Sequence, residues 1–381
     1  MKIKNIILGG LAMLTFASCS DYLDVNAPSA YSEEFVFSQK TEIERALNGV
    51  YAQALVNDLY GNAYQLTFNY NSDVDIQISS DGNHSHTTYA RLDCDDQGSD
   101  ILKFWTAAYN LIEYCNKFIA SAENSKFYVK QDDDPEWKQD TQVLQWIGEA
   151  KCLRAMMYHD LVVMFGDVPF TFTPASKRED YVFPIVDREE IQQKLIDDLK
   201  AIAPKMSSTK SVTVERCSKE FAQALIARIA LTAGGYSLRP NKSDAKNYGE
   251  MKRPDNWQEF YTTARDYADS VISAGTHNLY NDYQDVFVNE CNYVVVNDDD
   301  PIFEIPFANG LSGNVGYSHG PKSAYDDPKR GTTNGALQLN CFYRWSFDPA
   351  DLRRDFIVGL WDYAENTAGF TYKDEVGNDV K

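Results

Sequence analysis

The sequence predicts a mostly α-helical protein, a scaffold of paired helices carrying an irregular, loop-rich face and a few short strands. Three observations carry that expectation. Apolar residues recur every three or four positions over long stretches between residues 41 and 275. Trp146, Ala150, Leu153, Met157, Leu161 and Met164 show this best, falling on one face of a single helix. Helix-start signals precede several of these stretches, and after Gly275 the period gives way to Gly, Asn and Ser mixed with aromatic residues.

The chain opens on Lys2 and Lys4, the apolar run Ile6–Phe16, and Ala17-Ser18-Cys19. A positive start, an apolar middle and small residues before a cleavage point make residues 1–18 a secretory signal. The run is too short to span a bilayer, which needs about 20 apolar residues. A cysteine directly after two small residues resembles a bacterial lipoprotein box, with Cys19 as the first, lipidated residue. Phe16 stands three positions before it, where such boxes usually carry Leu. Residues 19–40 then read as an extended tether, and 41–381 as one domain.

Thr41-x-x-Glu44 is a capping box for a helix through Val56. Residues 60–99 lose helical period and fill with Asn, Asp, Ser, Gly and His, a loop rather than a packed element. A helix resumes over about 100–122 with Trp105, Tyr109, Ile112 and Phe118, and Asp132-Asp133-Asp134-Pro135 makes a turn. The next helix, about 139–165, carries the Trp146–Met164 stripe and stops at Gly166 and Pro169, by a left-handed cap and a missing donor. Asp187-x-x-Glu190 boxes a helix to Ala203, and Ser218 caps an alanine-rich helix over 221–233. Asp255-x-x-Gln258 boxes one more, ending at Ala274-Gly275.

Such helix pairs invite comparison with a tetratricopeptide period of about 34 residues. Superposing Ala150 on Ala224 brings Arg154 over Arg228, at a spacing that requires an insertion. An irregular helical domain without a repeat stays open as the alternative. Ile302–Phe307 reads as a short edge strand limited by Pro306, and 309–340 as a long irregular stretch.

Composition bounds the function. Apolar residues make up 44% and aromatics 13%, with 24 Tyr and 20 Phe, so the chain is globular and rich in amphipathic side chains. A net charge of −20 argues against nucleic acid and against charge-driven membrane adhesion, which leaves lipid on Cys19 as the membrane contact. The other cysteines form no C-x-x-C; Cys115 and Cys152, in apolar helical stretches, read as buried thiols, and export permits disulfides that a chain this large does not need. His84-x-His86 lacks a third ligand at motif spacing, and the aspartate runs at 132–134 and 298–300 lack the alternation and glycine of a calcium loop. No metal or cofactor is therefore expected. No G-x-S-x-G, H-E-x-x-H or phosphate-cradling loop is present, so catalysis has no positive support.

Aromatic–polar clusters remain. One runs from Asn69 and Tyr70 to Tyr89 and Arg91, the other from Tyr317, His319 and Tyr325 to Phe342-Tyr343-Arg344-Trp345. Sugar rings present apolar C–H faces to Tyr or Trp, while Asn, Arg and His bind their hydroxyls. The candidate ligand residues are accordingly Asn69, His86, Tyr89, Arg91, Tyr317, Tyr343 and Trp345.

Gly148-Glu149-Ala150-Lys151-Cys152-Leu153-Arg154-Ala155, followed by Tyr158, Leu161 and Phe165-Gly166-Asp167-Val168-Pro169, is similar to the signature helix of SusD/RagB-type outer-membrane lipoproteins. Other landmarks fall in that family's order: Cys19 to Asp24, Ser72-Asp73, Trp105 through Tyr109 to Asn116, Ala227-Arg228, Phe303-Glu304-Ile305, and Asp351-Leu352-Arg353. The resemblance implies a tetratricopeptide-like scaffold with a ligand face built from the 60–99 loop and the 276–381 region. It implies a cell-surface, lipid-anchored protein that binds nutrient glycan or peptide without cleaving it and partners a SusC-like TonB-dependent transporter. Family members usually continue well beyond an Asp-Leu-Arg at this place, so a truncated form is expected. A surface glycoside hydrolase and a protein-only helical adaptor are the alternatives.

Overall fold

The computed structural model describes residues 31–64, 72–77, 98–131, 134–180, 182–239, 249–297, 300–308, 313–319, 333, 337–358, 372–373, 376 and 379–380. Its helices within the scaffold are α1 (Glu33–Phe37), α2 (Lys40–Ala54), α3 (Ser99–Glu123), α4 (Thr141–Phe165), α5 (Arg188–Ile202), α6 (Lys219–Ala233) and α7 (Trp257–Ala274). From α2 onward each helix packs on the next in sequence, the order expected of stacked helix pairs.

Helix α4 lies at the centre and also touches α2 and α6. The sequence suggests one buried stripe, and Trp146, Ala150, Leu153, Met157 and Leu161 are indeed buried, with Met164 packed at the margin. The structure buries far more, since every residue from Val143 to Val162 except Lys151 is enclosed. A helix surrounded by neighbours needs apolar or satisfied residues on all sides, and a single stripe understates it. The repeat comparison also weakens here. Arg154 is 2% exposed, whereas Arg228, which a strict repeat would place in the same role, faces solvent.

Helix starts divide by their chemistry. Ser218 caps α6 by accepting from the Phe221 amide, and Asp187 caps α5 by accepting from Glu189, as expected. Glu190 does not close the box; it pairs forward with Lys194 at 2.7 Å. Helix α2 begins at Lys40, behind an extended Gln39, so Thr41 is already inside and makes no cap. Helix α7 begins after a turn in which Trp257 N–H donates to Pro254 O, so Asp255 does not cap it either. Gly275 ends α7 in the left-handed conformation (φ 59°), whereas Gly166 follows α4 at φ 79°, ψ −121°, outside the left-handed helical cap expected of it though still where a side chain would be strained.

The stretch 19–40, expected to be an extended tether, contains α1. Glu33 pairs with Ser121, and Phe37 packs edge-on against Phe118 at 5.8 Å. The strand expected over 302–307 is absent. This segment is extended and held by one ladder-like bond, Glu304 N–H to Val214 O (2.8 Å), with Phe303 against Phe221 at 4.3 Å. Pro306 cannot donate, so pairing goes no further. The described strands are short antiparallel pairs: β1 (Asp75–Gln77) with β6 (Leu337–Leu339), β2 (Val168–Pro169) with β3 (Ile185–Val186), β4 (Ser237–Arg239) with β5 (Glu250–Lys252), and β7 (Tyr372–Lys373) with β8 (Asp379–Val380). Beyond α7 lie α8 (Tyr283–Cys291), α9 (Val315–His319), α10 (Cys341–Ser346) and α11 (Leu352–Ile357).

Candidate ligand-binding face

The signature residues of α4 form a buried polar framework. Glu149, 1% exposed, accepts from Tyr51 (2.7 Å), from Arg216 Nε (2.6 Å) and from Gln145. Tyr51 in turn accepts from the Cys217 amide, so this knot joins α2, α4 and the approach to α6. Burial raises the Glu149 carboxyl above its ordinary value, while Arg216 and Tyr51 pull against that shift. Arg154 donates to Asn116 (2.8 Å) and Asp198 (2.7 Å) and lies over the Phe172 ring at 3.7 Å. Tyr109 and Tyr158 hold the carbonyls of Pro169 and Thr171. Cys115, Cys152 and Cys217 are buried free thiols beside this framework.

One turn further along α4, the framework reaches the base of the predicted ligand loop. Asp160 accepts from Tyr60 at 2.5 Å, and the Tyr60 ring, in the π-helical turn Asn57–Gly61, lies tilted 5.2 Å from that of Tyr64 just after it. Burial pushes Asp160 up to about 6 and His159 down to about 4. The His159 Nδ1 has no hydrogen-bond partner among the described residues.

From that base the two predicted ligand regions come together by backbone bonding. Asn314 N–H donates to Gly61 O (2.7 Å). Strand β1 pairs with β6 in the register Asp75–Leu339, and Asn340 N–H extends the ladder to Val74 O (2.7 Å). Ser72 turns the chain into β1 by accepting from the amides of Val74 and Asp75 while donating to the Asp75 carboxylate (2.9 Å). Helix α9 lies against β6.

Tyr317, on α9, is 44% exposed, and Trp345, on α10, is 42% exposed. Segment 341–346, read from sequence as loop, is helical because Asn340 accepts from the Phe342 amide and caps it. That geometry separates Tyr343 from Trp345. Positions two apart do not share a helix face. Phe342, three before Trp345, meets it edge-on at 5.3 Å and is 68% exposed, whereas half-buried Tyr343 packs on Phe347 at 5.0 Å. Phe342 thus replaces Tyr343 beside Trp345, and the Asn before Cys341 was the available signal. Asn69, His86, Tyr89 and Arg91 lie outside the described residues. Among the described residues, no group of three His, Cys, Asp or Glu is placed to hold a metal, and no helix is long and apolar enough to cross a membrane.

A family model described as starch-binding, associating with the outer membrane, matches residues 21–231. The chain belongs to this SusD-like family. A SusD-like protein of Formosa agariphila is 22% identical over 323 residues, covering 82% of this chain and 53% of its own length. Among solved structures, a SusD homolog of Bacteroides thetaiotaomicron superposes with a TM-score of 0.69 at 22% identity, over 86% of this chain and 59% of that one. A surface glycan-binding protein A of Bacteroides fluxus gives 0.61 at 19% identity, over 84% and 63%. These likenesses establish the mostly helical SusD-like fold. The chain spans about half the length of the curated relatives it matches.

Proposed function

We propose that this chain is a non-enzymatic glycan-binding lipoprotein of the outer-membrane surface that captures oligosaccharide and passes it to a SusC-like TonB-dependent transporter. The observation that carries the reading is the pairing of β1 with β6, which brings the two loop regions to one seam beside exposed Tyr317 and Trp345. Membership of a family described as starch-binding supports the ligand class. Each aromatic–sugar contact contributes about 0.5–1.5 kcal/mol. Three or four of them, after association costs, give roughly millimolar to micromolar affinity. Weak holding suits a protein whose ligand must leave into a transporter.

Affinity electrophoresis through purified polysaccharides, with reducing ends assayed in parallel, tests this. Retardation by at least one glycan without released reducing ends is expected. Released sugar would instead make the chain a hydrolase, and indifference to every glycan would favour a peptide-binding or protein-only adaptor. The anchor has its own test: Cys19→Ala should lose fatty-acid labelling and leave the membrane fraction, since stable attachment takes at least two acyl chains. Unchanged labelling would exclude lipidation at Cys19.

A further inference from the structure

A cavity of about 490 Å³ lies between the C-terminal end of α4, the start of α5 and strand β4. Its volume falls within the roughly 300–1,000 Å³ typical of small-molecule sites. It shares no residue with the Tyr317–Trp345 seam. Two of its lining residues, Arg188 and Gln192 on α5, are polar. Gln192 is 3% exposed and brings a side-chain amide to the cavity. Arg188 Nε is buried and unpartnered, while its terminal nitrogen donates to Val162 O (3.2 Å). A buried group left in this way is uncommon and unfavourable unless something partners it. Gly166 is what admits the guanidinium, because a Cβ there would stand 2.5 Å from the Arg188 terminal nitrogen.

The remaining wall sets Val162, Met164 and Phe165 on α4 and Leu238 on β4 beside the hydroxyl-bearing Thr232 and Ser237, and Tyr236 forms the rim at 66% exposure. Arg253 sits over one face of the Tyr236 ring at 4.7 Å and so fixes its orientation. A smaller cavity of about 240 Å³ under Phe303 differs in kind, since its Tyr51 and Arg216 are already satisfied by Glu149. An amide offering both donor and acceptor, a guanidinium N–H, two hydroxyls and an aromatic ring beside apolar side chains match a hydroxylated ring with one apolar face. Charge selects among such rings. Arg239 is already paired with Asp187 (3.2 Å) and Glu189 (3.4 Å), and Asp167 stands near Arg188, so acidic groups outnumber the arginines and disfavour an anion.

We propose that this cavity is a second saccharide site, taking one neutral pyranose unit, on the helical scaffold rather than on the loop face. The ligand class rests on the glycan reading above; the cavity's geometry does not. Saturation-transfer NMR on the full-length chain with D-glucose, D-galactose, D-mannose, D-xylose and D-galacturonate tests it. At least one neutral sugar should give a signal that falls about fivefold in Gln192→Leu, the loss of one neutral hydrogen bond. Tyr236→Ala, which changes an exposed side chain, should lower it too and decides the matter if Gln192→Leu unfolds. The fall should be the same in a Trp345→Ala background. No transfer from any neutral sugar, a signal undiminished in Tyr236→Ala when read in the Trp345→Ala background, or a stronger signal from galacturonate than from galactose would overturn the proposal. Glycan retention on gels is read separately, so failure of the loop-face reading leaves this outcome interpretable.

Discussion

Helices α4 and α10 both carry aromatic side chains, and they use them in opposite ways. Tyr158 on α4 is fully buried, and its hydroxyl is spent on the Thr171 backbone. Trp345 on α10 is 42% exposed on a six-residue helix that buries nothing. The same contrast holds regionally, since none of the described residues of α8, α10 or α11 is buried, whereas α2 to α7 enclose a continuous core. A stable scaffold presents a face that has little packing of its own. Under the proposed function, residues on that face answer to a ligand instead of to the core.

The comparison breaks most visibly if the α4 framework can be dismantled cheaply. Arg154→Ala removes the donor to Asn116 Oδ1 and one of the partners of Asp198, and breaking a buried ion pair of this kind costs about 3–5 kcal/mol. Denaturant unfolding reads it, and a loss below 1 kcal/mol would mean the framework is dispensable. Leu153→Ala should follow at about 2–5 kcal/mol through cavity formation.

The next effect is one of slope. Asp160 keeps its proton in the folded chain up to about pH 6, while the unfolded residue releases it near 3.8, so its contribution falls as pH rises between those values. His159 behaves in the reverse sense. The unfolded imidazole takes up a proton below 6.5 and the buried one only near 4, so its contribution rises with pH across that interval. The two nearly cancel in the wild type. Asp160→Asn should therefore steepen the gain in stability from pH 4 to 6.5 by about 3 kcal/mol relative to wild type, and His159→Gln should tilt it the other way. Parallel pH profiles for wild type and both variants would contradict this arrangement at the loop base. Smallest among these stability effects is Ser218→Ala, expected to cost about 1 kcal/mol by loss of the α6 cap.

What the sequence made legible follows the same division. Burial imposes period, so the helices from α2 to α7 could be read to within a few residues, as could the Ser218 and Asp187 caps and the Gly275 stop. Thr41 and Asp255 misled because a capping box is a local pattern, and the chain entering each helix decides where it begins. The extent of α4's burial was hidden because its enclosed polar residues, Gln145, Glu149, Arg154, His159 and Asp160, look like a solvated face until their partners are known. Those partners come from residues as distant as Tyr51 and Arg216. Tyr317 and Trp345, the proposed ligand contacts, stand out by texture alone. Tyr343 groups with them in sequence because the Asn340 cap that makes 341–346 helical is a single-residue signal. The β1–β6 ladder, three residues on each side, gave no periodic signal at all.

The most direct test of the contrast between scaffold and face is a double reading on Trp345→Ala and Tyr317→Ala, combining retention on a glycan that retards wild type with the melting temperature of each variant. Retention should fall in both while stability moves within about 0.5 kcal/mol, as for exposed residues away from any packed feature. Unchanged retention in both variants, or lost retention matched by a lost fold, would contradict the assignment of this seam as the ligand face.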